Sequence, residues 1–158
     1  MSKQLVIYTD GAARGNPGPG GYGIVLQWGP AVKELSQGFR LTTNNRMELM
    51  AVIVGLQQLT RDGLDVVIYS DSAYVVNSVE KGWVFGWVKK GFAGKKNADL
   101  WMEYLKLHKK HNIKFVWVKG HANNPGNNRC DQLATAAADS RKWLVDEGYE
   151  REQKAGLL

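Results

Sequence analysis

The stretch VIYTDGAARGNPGPGGYG, residues 6–23, begins as a strand and then becomes a loop rich in Gly, Asn and Pro. Its first residues favour β-structure and predict a strand that ends at Asp10. Within a second stretch, VVIYSDSAYVV at residues 66–76, an apolar strand is predicted to end in the same way at Asp71. Ligands bind beyond the carboxyl ends of the parallel strands in open α/β sheets. If the two strands are parallel neighbours, their carboxylates therefore lie at one edge of one sheet.

Hydrophobic periodicity along the chain predicts an α/β fold. The first three strands have the pattern of an antiparallel meander, and a later apolar strand has that of a parallel strand buried on both faces. Strands are predicted over residues 4–10, 21–28, 32–41, 66–70 and 113–118. Helices are predicted from Asn44 or Asn45, from Ser72, over residues 98–111, and from Arg129 to about Trp143. We therefore expect a five-stranded mixed sheet flanked by helices.

Length and composition predict an ordinary globular domain. The 158 residues suit one domain, and 44% hydrophobic and 23% charged residues are typical of soluble proteins. No apolar run reaches the ~18 residues of a transmembrane helix, and the N-terminus lacks a signal-peptide pattern. Cys130 is the only cysteine, and we interpret it as a small buried apolar residue. These features predict a cytoplasmic protein without a membrane partner, for which a monomer is the default.

The distribution of charge indicates a polyanionic partner. The formal net charge is +6. The segment KGWVFGWVKKGFAGKK, residues 81–96, contains five lysines, four aromatic residues and no acid. Clustered lysines interleaved with aromatic side chains are typical of nucleic-acid binding. Trp83 and Trp87 are four residues apart, however, and Trp87 is also a candidate anchor of this segment to the core.

Two further acids have two interpretations each. Glu48 follows Asn45 by three residues, as in a capping box, but it also lies beside a core-facing stripe, where a buried carboxylate needs a partner. Asp131 falls in the first turn of its helix if Asn127 or Asn128 is the cap, and there it compensates the helix dipole. For Glu48, the roles of metal ligand and of capping residue both remain open. For Asp131 taken alone, compensation of the helix dipole is the favoured interpretation.

The four acids together describe a site for a hard cation. No cysteine pair and no histidine pair at ligand spacing accompanies them, which disfavours Zn²⁺ and favours Mg²⁺ or Mn²⁺. Two such ions ~3.5–4 Å apart clamp the attacking and leaving oxygens when a phosphodiester is displaced in line. The sequence therefore predicts phosphodiester chemistry at the edge of the sheet.

With these residues in place, the sequence resembles a bacterial type 1 ribonuclease H over nearly its whole length. The resemblance rests on several blocks in a fixed order: YTDGAARGNPGPGGYG, TTNNRMELMAVIVGL, YSDSAYV, the basic segment ending NADLW, and WVKGHA followed by RCDQLA. Each block is moderately specific, and the set in this order is highly specific. It implies a ribonuclease H-like fold over residues 1–158, with a basic protrusion at about 81–97.

The resemblance also implies an activity and a metal site. Members of the family cut the RNA strand of an RNA–DNA hybrid and leave a 3′-hydroxyl and a 5′-phosphate. The positions of Asp10, Glu48 and Asp71 match the acids that hold two divalent ions, Mg²⁺ with Mn²⁺ as a substitute, and Asp131 matches a fourth. His121 matches a mobile histidine that helps proton transfer or product departure.

A set of substrate contacts follows from the same resemblance. The family reads 2′-hydroxyls with side-chain amides, holds the DNA strand in a phosphate pocket, adds one aromatic contact, and neutralises phosphates with the lysines of the protrusion. The matching positions are Asn16, Asn44, Asn45, Thr43, Asn97, Trp83, Lys89, Lys90, Lys95 and Lys96. The three asparagines are equally ordinary turn and cap residues. For the tail, about 146–158, disorder is one expectation.

Three hypotheses of function come from different classes. The first is a hybrid-specific endoribonuclease. The second is a non-catalytic module that binds hybrids or duplexes, against which the presence of all four acids argues. The third is a DNA recombinase or transposase core, which shares the acid-bearing sheet but normally carries accessory domains that 158 residues do not accommodate.

Overall fold

The computed structural model describes residues 4–119 and 123–156. The strands in this part of the chain are β1 (Leu5–Ala13), β2 (Gly18–Trp28), β3 (Ala31–Thr42), β4 (Asp65–Ser70), β5 (Asn112–Trp117) and β6 (Trp143–Leu144). The helices are α1 (Asn44–Gln57), α2 (Ala73–Glu80), α3 (Trp83–Lys89), α4 (Ala98–His108), α5 (Pro125–Asp139) and α6 (Glu147–Gly156). None of these helices combines the length and hydrophobicity that crossing a bilayer requires.

The strands form one mixed sheet in the order β5-β4-β1-β2-β3-β6. β1, β2 and β3 are an antiparallel meander, and β4 and β5 extend it in parallel on the β1 side. This confirms the predicted mixed sheet. The predicted end of the first strand at Asp10 is wrong, because β1 continues to Ala13 through its pairing with β2. The described sheet has six strands rather than five, because Trp143–Leu144 pairs with Gly38–Phe39 in parallel. A two-residue strand shows no periodicity, and the helix predicted to reach Trp143 ends at Asp139 instead.

The N-terminal caps of α1 and α5 differ from the predicted ones. Thr43 caps α1, and its hydroxyl accepts a hydrogen bond from the Arg46 N–H at 3.2 Å. Glu48 is therefore in the second turn, and the predicted capping box with Asn45 is wrong. Asn124 caps α5, and Pro125 occupies the first turn, where its missing N–H costs nothing. Asp131 accordingly lies seven residues beyond the cap, outside the first turn.

Glycines in the opening stretch let helix backbones contact the sheet directly. A Cβ at Gly11 would lie 2.4 Å from the Glu48 nitrogen of α1, and a Cβ at Gly23 would lie 2.2 Å from the Cys130 oxygen of α5. Gly11 pairs with Tyr22, the neighbour of Gly23. Because adjacent residues of a strand point to opposite faces, α1 and α5 cover opposite faces of the sheet.

A buried ion-pair network fixes the C-terminal segment. The Arg46 guanidinium, 1% exposed, donates to the Asp146 carboxylate at 2.8 and 3.0 Å and to Asp99 at 2.9 and 2.7 Å. Asp146 also accepts from the Thr42 hydroxyl at 2.7 Å and from the Tyr149 N–H at 3.3 Å, at the start of α6. Disorder was one expectation for the tail, whereas residues 147–156 form helix α6 in the structure. These long-range contacts leave no local pattern in the sequence.

We expect Gly23→Ala to destabilise the protein by about 2 kcal/mol or more, because the new methyl group overlaps the α5 backbone. Gly86→Ala is the matched control, because its Cβ meets nothing within 4 Å in helix α3. That variant should be neutral or more stable by up to about 1 kcal/mol. Urea unfolding measures both, and equal effects of the two substitutions would contradict the close approach.

Arg46→Met should cost about 3–5 kcal/mol of unfolding free energy, because it leaves the buried Asp146 carboxylate without its cationic partner. Arg129→Met breaks an equally well-aligned pair with Glu34, but that pair is exposed. It should leave the stability nearly unchanged. Chemical denaturation compares the two variants, and similar midpoints would show that the Arg46 network contributes no more than a surface pair.

Candidate active site

Parallel pairing of β1 with β4 brings two of the predicted acids together. The last register pair is Tyr8 with Tyr69, whose rings stack at 5.1 Å. Asp10 and Asp71 each follow two residues later, at the same edge of the sheet. The prediction that these two strands are parallel neighbours is confirmed.

Glu48 of α1 completes a cluster of three carboxylates. One oxygen from each of Asp10, Glu48 and Asp71 lies within 4.8 Å of the others. Asp10 and Glu48 are buried, and Asp71 is half-buried. The Gly11 N–H donates to Asp10 Oδ1 at 2.9 Å and to Glu48 Oε1 as well. One backbone donor thus orients two of the three acids, and Glu48 points into the cluster.

Asp131 of α5 belongs to the rim of the same cleft. The cleft has a volume of about 490 Å³, and the three clustered acids and Asp131 all line it. Asp131 is exposed and is not one of the three acids whose oxygens converge. His121, the predicted mobile histidine, lies outside the described residues.

The electrostatics of the cluster favour a bound cation. Burial, followed by the charge of Asp71, raises the pKa of Asp10 to about 8. Burial and the charges of Asp10 and Asp71 raise the pKa of Glu48 well above its usual value. Within residues 4–119 and 123–156, no Lys or Arg forms a salt bridge with any of these acids. An all-oxygen donor set of this kind fits a hard divalent cation such as Mg²⁺.

Side chains from two other elements hold the backbone of the acid-bearing strands. The buried Asn127 amide of α5 donates to the Thr9 carbonyl at 3.2 Å, next to Asp10. The Trp117 indole N–H at the end of β5 donates to the Asp71 carbonyl at 3.2 Å. The sequence interpretation missed both contacts. Asn127 was a candidate cap, and no local signal marks a residue that donates to a distant strand.

Most of the predicted substrate contacts line three adjoining cavities. Asn44 and Asn45 line the acidic cleft. A second cavity of about 310 Å³ is lined by Asn16, Thr43, Asn45, Lys96 and Asn97, together with residues of α6. A third, of about 360 Å³, is lined by Asn45, Trp83, Trp87, Lys95 and Asn97, among others. Asn45 belongs to all three. Lys89 and Lys90 are exposed and line none of these three cavities.

The aromatic residues of the protrusion divide between surface and core. Trp83 is 45% exposed, and the Lys81 ammonium lies 5.5 Å from its ring centroid. Trp87 packs edge-on against the buried Trp101 at 6.1 Å, which supports the anchoring interpretation. Cys130 is buried, and burial raises its pKa, as the assignment to a small apolar residue predicted.

Comparisons with known proteins identify the family. A family model described as RNase H matches residues 2–139. The ribonuclease H of Desulforamulus reducens is 57% identical over 149 residues, which cover 91% of this chain and 93% of that protein. LC9-RNase H1, a type 1 RNase H with the type 2 active-site motif, has a TM-score of 0.79 at 29% identity over 96% of this chain and 81% of its own. LC11-RNase H1, solved in complex with an RNA/DNA hybrid, has a TM-score of 0.63 at 27% identity over 87% and 98%.

The mixed sheet, the acid cluster and these matches define the class of protein as an endonuclease with a ribonuclease H-like fold. The chain belongs to the RNase H family. Enzymes of this family depend on metal ions, and the RNA strand of RNA/DNA hybrids is their known substrate.

We expect Asp10→Asn to raise the melting temperature of the metal-free protein by several degrees at pH 8 and above. The folded state keeps a proton on Asp10 up to a pKa of about 8, whereas the unfolded state releases it near 3.8. The raised pKa therefore lowers stability progressively as the pH rises from about 4 through 8. The amide side chain introduced by Asp10→Asn does not ionise, so it removes this loss of stability at high pH. Its oxygen can still accept the hydrogen bond from the Gly11 N–H.

Thermal unfolding in EDTA at pH 5 and pH 9 measures the effect. Asp62→Asn, at an exposed loop position, is the control for loss of one negative charge. Equal shifts for the two variants, or a larger gain for Asp10→Asn at pH 5, would contradict the crowding of the three acids.

Proposed function

We propose that this protein is an endoribonuclease that hydrolyses the RNA strand of RNA–DNA hybrids by a two-metal-ion mechanism and leaves 3′-hydroxyl and 5′-phosphate ends. The convergence of the Asp10, Glu48 and Asp71 oxygens within 4.8 Å, in an open cleft of an RNase H-family chain, carries this proposal. LC11-RNase H1, of similar fold, binds an RNA/DNA hybrid.

The three clustered acids would hold two Mg²⁺ ions, with Mn²⁺ as a substitute, and Asp131 would supply a fourth carboxylate from the rim. When bound, the ions activate a water molecule and neutralise charge on the leaving oxygen. The Gly11 N–H keeps the Asp10 and Glu48 carboxylates oriented before the substrate arrives. Asp131 and His121 would then assist proton transfer and the release of the product.

Recognition of the hybrid uses the cavities beside the cleft. Asn44 and Asn45 flank the acids, and Asn16 is fixed because its Oδ1 accepts from the Asn44 N–H at 3.1 Å. The Asn16 side-chain NH₂ is thereby directed away from that bond, as a donor for a 2′-hydroxyl. Thr43 and Asn97 would hold a phosphate of the DNA strand.

The protrusion extends this surface with charge and stacking area. Trp83 is exposed on α3 for contact with a sugar or base. Lys89, Lys90, Lys95 and Lys96 would neutralise phosphates, which makes binding weaken steeply with salt. We also propose a single-domain monomer in the cytoplasm. All four acids come from one chain, so the cleft needs no second copy.

Asp10→Asn and Asp71→Asn should each lower Mg²⁺-dependent cleavage of a hybrid by about a hundredfold or more, because each removes a charge that must hold the ions. Binding of the hybrid should survive, since the contacts of the flanking cavities remain. Gel assays with matched RNA–DNA, RNA–RNA and DNA–DNA duplexes, with Mg²⁺ or EDTA, measure cleavage, and fluorescence anisotropy measures binding.

Asp62→Asn is again the control and should cut like the wild type. Near-full activity of either active-site variant would refute the metal assignment. Cutting of plain DNA duplex by the wild type would favour a recombinase core, and binding without any cutting would favour a non-catalytic module.

A further inference from the structure

Helix α6 contributes a wall to the second cavity, next to the proposed phosphate pocket. Tyr149, Glu152 and Gln153 all line this cavity of about 310 Å³. Their spacing of three and four residues places them on one face of the helix. The family model ends at residue 139, so α6 lies beyond the segment that it matches.

The facing wall carries residues proposed above to contact the hybrid, including Thr43 and Asn97, which were proposed to hold the DNA strand. Asn16, Thr43 and Asn97 supply amide and hydroxyl groups. Among the lining residues that the structure describes, Lys96 is the one positive side chain and Glu152 is the one negative side chain. Without Glu152 the lining would carry a net positive charge, whereas with it the two charges cancel.

α6 is held in place on this cavity. Arg40 donates to the Glu150 carboxylate at 2.9 and 2.8 Å, which ties the middle of α6 to β3. Asp146, directly before the helix, is bound by the buried Arg46. Tyr149 is buried, whereas Glu152 and Gln153 are exposed. The carboxylate of Glu152 is therefore presented to the cavity by an anchored helix.

From this arrangement we propose that α6 is part of the phosphate site, and that Glu152 weakens the binding of a nucleic-acid phosphate there by charge repulsion. Glu152 opposes Lys96 and so limits how tightly the DNA strand of a hybrid is held. Repulsive elements of this kind set affinity and selectivity as effectively as attractive ones. The inference rests on the proposed function and adds a determinant of affinity to it.

Two substitutions that change the charge of the cavity in opposite directions test the inference. Glu152→Gln removes the negative charge from the cavity, and Gln153→Glu adds a second one beside it, with little change in shape. Glu147→Gln is the matched control, because it makes the same charge change on the same helix away from this cavity. The dissociation constant for a fluorescent RNA–DNA hybrid is measured by anisotropy in EDTA at several salt concentrations, and thermal unfolding verifies the fold.

We expect Glu152→Gln to bind the hybrid about threefold or more tightly at low salt, with a salt dependence steeper by about one released ion. Gln153→Glu should bind about threefold more weakly, and Glu147→Gln should stay close to the wild type. Equal effects of Glu152→Gln and Glu147→Gln would overturn the inference and leave the proposed function intact. A wild-type protein that neither prefers nor cuts the hybrid would overturn both.

Discussion

The parallel register between β1 and β4 is the constraint on which the cleft depends. Tyr8 is paired with Tyr69, and each strand reaches its aspartate two residues later. A slip of one residue would turn one of the two carboxylates to the other face of the sheet. Gly11 adds the second condition, because any side chain at that position would push α1, and with it Glu48, away from the strand. Backbone geometry, rather than attraction between the acids, therefore brings the three carboxylates together.

The cluster works against the stability of the fold that holds it. Burial and mutual repulsion raise the pKa values of Asp10 and Glu48, so in the metal-free protein these two groups contribute less to stability at neutral and alkaline pH than at acidic pH. The core and the Arg46 network stabilise the same region: Arg46 lies two residues before Glu48 and links α1 to α4 and to Asp146, directly before α6. Natural proteins commonly keep such unfavourable groups at functional sites and offset their cost elsewhere.

Local patterns predicted the apolar strands that lead to Asp10 and Asp71. The predicted end of β4 before Asp71 is confirmed, but β1 does not end at Asp10, because its pairing with β2 continues to Ala13. Local patterns did not predict the N-terminal caps of α1 and α5. Each helix is preceded by several Thr or Asn residues that are equally suitable caps, and only tertiary packing selects Thr43 and Asn124. β6 and α6 were missed for a related reason: a two-residue strand and a polar helix are held by partners about 100 residues away. The contacts of Trp117 and Asn127 likewise exist only in three dimensions. The role of His121 stays a prediction.

Asn45 lines the acidic cleft and both neighbouring cavities. It sits in the first turn of α1, the helix that also carries Glu48. Under the proposed function, the distance between the metal-binding acids and the residues that hold the DNA strand is therefore set largely by one helix. The bond cut in the RNA strand would then lie at a constant distance from the phosphate held on the DNA strand.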